Sequence, residues 1–516
     1  MDGATLTRRG LLVGIGAAGG AGAMYAAMGA LGLAPEEQDK TFTPPRAGDF
    51  SLQGRAAAKV VILGAGVTGL TAAYELGKAG YDCTLLEARD KPGGRNLTLR
   101  GGDRLTELHG PTQEVKLSEG LYFNAGPARI AQWMVTLDYC RELGVPIETF
   151  VNRNAQAYIH TNGQTFRQRT ARADMYGYVA ELLAKATDSG ALDRKLTAED
   201  RDRLLTFLRR FGDLGPKLDY EGSTRRGFFD YPGLNEGDPF PPPGSLSEVL
   251  AAGTGRAITN DFGHDQASPM FQVVGGSDTI VRRLVEAIGE HRITTGAKVT
   301  RITDLPDGVE VTWDGGRIKA DYCIATLPPH LLARIPHNLG DDVTAALNVP
   351  RPMTTGKIGL EYDRRWWELE DRIYGGVTET DLDIARIWYP SYGYHSERGV
   401  LVGYYNHGAD AALYGALTPD DRRRRALTQG KKIHGEKYRT GVLSSVSVAW
   451  ERQEHIQGGW ASWPSFDSSF TLLQRPRGRV YFAGDYLTRL TAWMAGAMES
   501  ARGVVTALHR RALQSS

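Results

Sequence analysis

Arg129 closes the turn Asn124-Ala125-Gly126-Pro127-Ala128-Arg129. A guanidinium is the side chain whose planar fork pairs with a carboxylate through two parallel donors. Earlier in the chain, Gly64-Ala65-Gly66-Val67-Thr68-Gly69 has the spacing of a phosphate-binding turn. The first glycine makes the turn, the second admits a pyrophosphate and the third lets a helix close on a strand. Glu87 stands past the next apolar run, where a ribose would meet an acceptor. These residues need particular elements to position them. Lys59–Leu63 (KVVIL) reads as a buried strand, Leu70–Lys78 as a helix ended by Gly80, and Asp82–Leu86 as a second strand that finishes on Glu87. Phosphates would rest on the helix N-terminus, where backbone N–H groups lack partners. Taken alone, residues 64–69 fit an NAD site, or a glycine turn with no ligand, as well as a flavin site.

Arg89-Asp90-Lys91-Pro92-Gly93-Gly94-Arg95, an R-x3-G-G-R signature just past Glu87, separates these readings. With it the chain resembles the flavin-containing amine oxidase family, and is most like the bacterial L-amino acid oxidases, over about 57–130 and 265–510. The resemblance implies an α/β fold: a Rossmann-like FAD-binding domain of the glutathione-reductase/amine-oxidase type, a mixed-sheet substrate domain and a helical insertion. It implies FAD contacts at Gly64, Gly66, Val67, Thr68, Gly69 and Glu87, with Ala88 and Arg89 alongside. Gly94 and Arg95 would reach the pyrophosphate, and Gly126, Pro127, Ala128 and Arg129 would run past the cofactor. Val299 matches a position whose backbone meets the adenine, although a plain core valine fits equally. Gly484-Asp485, in Phe482-Ala483-Gly484-Asp485, matches the acid on the ribityl chain, and Ala492-Trp493 opens the terminal helix. No cysteine lies near there, whereas monoamine oxidases attach flavin through one; FAD is expected to be non-covalent.

The same resemblance assigns roles at the substrate. Arg129 matches the arginine that holds the substrate carboxylate. Lys357, in Lys357-Ile358-Gly359-Leu360, matches the lysine that holds a water against the flavin. Tyr389, in Ile387-Trp388-Tyr389-Pro390, matches a phenol on the carboxylate, with Trp388 taking that place if the register is offset by one. Trp450 would wall the flavin, with core packing as its alternative, and Trp493, beside Ala492, would enclose the substrate amine. Gly458-Gly459-Trp460 reads as a further pocket-lining turn. The implied reaction is FAD-dependent oxidative deamination of L-amino acids to 2-oxo acids, ammonia and hydrogen peroxide. Trp388, Trp450 and Trp493 point to large apolar or aromatic side chains. A monoamine or polyamine oxidase, or an amino-acid 2-monooxygenase, is the alternative on the same fold, and a non-catalytic flavin protein is a third reading.

The organisation expected is a Tat-type signal and linker (1–40), a first FAD-binding part (55–130, with a hairpin over Thr98–Glu107) and a helical insertion (131–260). A second FAD-binding part (265–328), a substrate domain (329–445) and a third FAD-binding part with the terminal helix (446–516) follow. Thr7-Arg8-Arg9-Gly10-Leu11-Leu12 starts a Gly/Ala-rich apolar run to about Ala34, the pattern of twin-arginine export to the periplasm or beyond, with an uncleaved membrane anchor as the alternative. Lys plus Arg (61) balance Asp plus Glu (60), so no nucleic-acid partner is expected. The partners expected are an L-amino acid and dioxygen, with a homodimer open. Arg422–Arg425 follows a helix-start signal and reads as a solvated helix face. Cys83, Cys140 and Cys323 are scattered and read as small core residues, with no disulfide framework and no metal site.

Overall fold

The computed structural model describes residues 50–259 and 262–515. The twin-arginine segment lies outside the described residues.

Strand Lys59–Leu63 is the centre of a five-stranded parallel sheet, ordered Ile293–Thr294, Asp82–Leu86, Lys59–Leu63, Tyr322–Ala325, Val480–Phe482. Side chains alternate across a strand, and here both faces are covered. Val60 and Ile62 pack with helix Val67–Lys78, helix Asp278–Ile288 and terminal helix Met494–Ser515. Val61 and Leu63 meet Ile302, Val309 and Val311 on the other side. That burial on two faces explains the unbroken apolar run KVVIL. The other face is covered by a meander, Val299–Leu305, Gly308–Trp313 and Gly316–Ala320, whose two turns fall at Asp307-Gly308 and Asp314-Gly315.

A seven-stranded mixed sheet forms the second layer, in the order Val442–Ala449, Thr355–Tyr362, Gly399–His407, Arg386–Trp388, Val377–Thr380, Tyr158–Thr161, Gln164–Arg167. All eight residues of Thr355–Tyr362 are buried because strands pair on both of its edges. Two expectations change here. The 131–260 stretch is not wholly helical: it contributes two strands to this sheet and one, Ile147–Val151, that pairs with Pro269–Val273. Thr98–Glu107 is not a hairpin either, since Thr98–Arg100 pairs with Tyr122–Asn124 and Arg104–Thr106 with Thr112–Glu114. Short strands select partners by tertiary packing, and the turn between them fixed nothing.

Helices Gln168–Asp188 and Ala198–Gly212 do form, and they pack through Ala180, Ala184 and Leu208. The second starts at a reciprocal Thr197/Asp200 capping box. The first helix of this stretch, Thr136–Glu142, begins after Ile130 has bridged to Phe271. Helix Pro419–His434 begins at the Thr418 cap as expected, yet Arg422 is not solvated. It is fully buried and donates to both oxygens of Glu107 at 2.5 and 2.7 Å, while Arg425 pairs with Asp383. All three cysteines are buried and free. Among the described residues no His/Cys/Asp/Glu group could hold a metal, and no helix is long and apolar enough to cross a membrane.

Candidate active site

One cavity of about 960 Å³ runs from the glycine turn of the parallel sheet to the inner face of the mixed sheet. At its first end Gly64 has φ +98°, a conformation side chains disfavour. A Cβ on Gly69 would sit 2.0 Å from the Gly64 carbonyl oxygen, so only glycine lets the helix approach the strand end. Gly66 caps helix Val67–Lys78 with no side chain, and a Cβ there would meet no atom within 4 Å: it would project into open space. The second signature is stitched to the first, Gly93 N–H donating to the Ala65 carbonyl at 2.8 Å. Arg89 braces that turn by donating to the Gly94 carbonyl at 2.9 Å. Glu87 is buried and accepts from the amides of Ala65 and Arg89, both at 2.9 Å. Each carboxylate oxygen has a second lone pair for a ribose hydroxyl.

Farther along, Arg95 pairs with Asp485 and donates to the Gly459 carbonyl at 2.9 Å. Asp485 also accepts from the Ala492 amide at 2.9 Å, and Ala492 has φ +71°. A Cβ on Gly126 would lie 1.9 Å from the Arg95 carbonyl oxygen, which holds the Asn124–Arg129 turn against this segment. An open turn of donors at a helix N-terminus, a buried acid one strand away and an arginine midway fit an adenine dinucleotide, and Ala88, Pro127, Ala128, Thr68 and Val299 line the same cavity.

At the far end the mixed sheet supplies the floor. Lys357 is 4% exposed and donates to the Gly126 carbonyl at 2.5 Å. Burial, then the neighbouring Arg129 charge, pulls its pKa down to about 7. Arg129 donates to Asn152 Oδ1, and its guanidinium lies 5.0 Å from the Trp388 ring centre and 5.7 Å from that of Trp493. It has no ion pair among the described residues, and burial lowers its pKa. Trp450 lines the cavity and donates to the Ala125 carbonyl at 3.1 Å. Trp493 donates to Asp265 at 3.1 Å, and Gly459-Trp460 forms part of the wall. Helix Met494–Ser515 begins one residue after Trp493, and Met494 itself lines the cavity.

Tyr389 is the exception. It is buried in a separate core and hydrogen-bonds Thr378 at 2.7 Å and His434 at 2.8 Å. Strand alternation sends it away from the face that carries Arg386 and Trp388, so Trp388 takes the cavity position. The phenol that does line the cavity is Tyr405, over whose ring Lys357 Nζ lies at 4.6 Å. Tyr405, Arg386 and His407 were not found from sequence. A signal existed for Arg386 alone, which sits two residues from Trp388 on its strand; Tyr405 and His407 neighbour only each other.

Residues 67–509 match the family profile described as flavin containing amine oxidoreductase, and residues 8–118 match that of pyridine nucleotide-disulphide oxidoreductase. An L-amino-acid oxidase of Pseudechis australis is 26% identical over 468 residues, covering 86% of this chain and 85% of its own. YobN of Bacillus subtilis, named as a candidate L-amino-acid oxidase, is 25% identical over 87% of this chain and 94% of its own. Among solved structures, cyclohexylamine oxidase from Brevibacterium oxydans superposes with a TM-score of 0.61 at 18% identity, covering 88% of this chain and 99% of that one. Putrescine oxidase bound to putrescine gives 0.60 at 19%, with the same coverage. At that identity the likeness is one of fold.

Proposed function

The chain belongs to the flavin-containing amine oxidoreductases, and we propose that within that family it oxidises L-amino acids, using non-covalent FAD. The overall change takes an amino acid, water and dioxygen to a 2-oxo acid, ammonia and hydrogen peroxide. One observation carries the reading: Arg129, partly buried, reaches the cavity with no carboxylate paired to it among the described residues. A desolvated, unpaired guanidinium is costly in an empty apolar pocket and favourable beside a carboxylate ligand. A pocket for simple amines gains nothing from it.

When bound, FAD supplies the two-electron acceptor and passes the electrons to dioxygen. The chain's residues orient and exclude. Arg129 fixes the carboxylate, Trp388 and Trp493 flank it, and Trp450 closes the cavity wall. Lys357, whose pKa burial draws down to about 7, is suited to hold a water and relay a proton at Nζ. None of the three cysteines lines the cavity, which favours non-covalent FAD. The twin arginines Arg8-Arg9 support export, which fractionation of the native host against an Arg8→Lys/Arg9→Lys variant tests. Coupled peroxide release across L- and D-amino acids and simple amines tests the reaction. Peroxide from L-amino acids supports it; peroxide from amines alone refutes it.

A further inference from the structure

The wall beyond Lys357 is rich in donors. Arg386 and Trp388 leave their strand on one face, and Tyr405 and His407 do so on the neighbouring strand; all four line the cavity. Arg386 Nε donates to both oxygens of Glu379 at 3.0 Å, and its Nη1 lies 3.5 Å from His407 Nε2. A guanidinium only donates, so Nε2 is the acceptor and a neutral ring carries its proton on Nδ1. Burial, then Arg386, Lys357 and Arg129, lowers the His407 pKa to about 4, so the ring is neutral. His407 Nδ1 is buried without a partner, and so is Trp388 Nε1. Both atoms lie beneath the cavity surface, so they mark a wall with more donors than acceptors.

Charge points the same way. Arg386 lines both the main cavity and a smaller one behind it, whereas Glu379 lines only the smaller. The guanidinium therefore stands between Glu379, with which its Nε pairs, and the main cavity. Trp388 is also a poor apolar surface, because Arg129 and Lys357 lie 5.0 and 5.2 Å from its ring centre. Across the cavity, Asp265 is the carboxylate that takes the Trp493 N–H.

We infer that this wall receives a carboxylate at the end of the substrate side chain, making the preferred substrates acidic L-amino acids and Arg386 the residue that selects them. The inference rests on the L-amino acid reading above and replaces the aromatic side chain expected from the tryptophans. With the FAD-loaded enzyme, kcat/KM for L-glutamate or L-aspartate should exceed that for L-glutamine and L-leucine by about tenfold or more, the scale of one added charge-assisted contact. Arg386→Gln should shrink the glutamate-to-glutamine ratio by about the same factor, and Arg386→Lys should restore part of it. Calorimetry on the unaltered enzyme reads the site without turnover: glutarate should bind about tenfold more tightly than butyrate. Preference for L-leucine or L-phenylalanine, with glutarate binding no tighter than butyrate, overturns the inference and leaves amino acid oxidation standing. Peroxide from amines alone overturns both.

Discussion

Arg422 is fully buried and Arg129 partly so, and they differ in what answers the charge. Arg422 donates to both oxygens of Glu107 and to the carbonyls of Tyr414 and Gly415. Burial is the largest single influence and works against its charge, but the Glu107 bonds together with Tyr404, Glu107 and Glu451 nearby raise its pKa on balance. Arg129 has one neutral side-chain acceptor, Asn152, and two ring faces, and its pKa is lowered. A closed network locks a fold. An open one leaves a charge that a carboxylate ligand can answer. The comparison says that stability and recognition are divided between these two arginines, and substitution can break it.

The largest effect should fall at Arg129. Arg129→Ala is expected to lower kcat/KM for L-amino acids by about two to three orders of magnitude, mostly through KM, in line with about 2–5 kcal/mol for a truncated buried charge pair. Its Tm should hold or rise, since the native protein loses an unmatched charge. A fallen Tm with unaltered kinetics would make Arg129 structural. Arg422 should behave oppositely. Arg422→Met leaves Glu107 buried with only the longer Arg452 contact, at 3.8 Å, at a cost of about 3 kcal/mol in stability. Arg422→Met with Glu107→Leu should recover much of it, because both charges are then gone. Denaturant melts measure each variant, and kcat per folded molecule should not follow them.

These two arginines also show what the chain discloses on paper. Arg129 sits in a contiguous motif, as do Gly64–Gly69, Glu87 and Gly93–Arg95, so their positions follow from short-range spacing. The parallel sheet was legible for the same reason: a strand buried on both faces writes an apolar run. Arg422 looked like its neighbours in a row of four, and its partner Glu107 lies on a distant loop; no local pattern encodes such a pair. The substrate wall is similar. Trp388, Tyr405 and His407 come from strands whose pairing sets which residues face inward, and one residue of register moves a side chain to the other face.

Lys357 sharpens the comparison through pH. Its pKa is about 7 in the folded protein against an ordinary 10.5. Below about 7 both states are protonated; between the two values the unfolded chain keeps a proton that the native chain has released. Stability therefore rises with pH across that window. Lys357→Met removes the linkage, so its Tm should exceed that of the unaltered protein most at pH 6 and least near pH 10. Equal differences at both pH values would mean that the amine is hydrated. The same variant should keep FAD and slow flavin reduction or reoxidation in stopped flow; unchanged rates would remove Lys357 from the chemistry.

The smallest expected kinetic effect belongs to Tyr389, the residue that sequence placed on the substrate and the fold does not. Tyr389→Phe deletes a hydroxyl shared by Thr378 and His434, whose Nδ1 is tied to Asp371 at 2.9 Å and whose ring is fully buried. The two partners stay behind without water, which costs about 1–3 kcal/mol. The prediction is a lower Tm with kcat/KM within about threefold, because Trp388 and Arg386 on the same strand are held by backbone pairing to Gly399–His407 and Val377–Thr380 as well. A raised KM at unchanged Tm would return the phenol to the carboxylate and require the strand to sit one residue out of its present register, and that shift would turn Arg386 and Trp388 away from the cavity together.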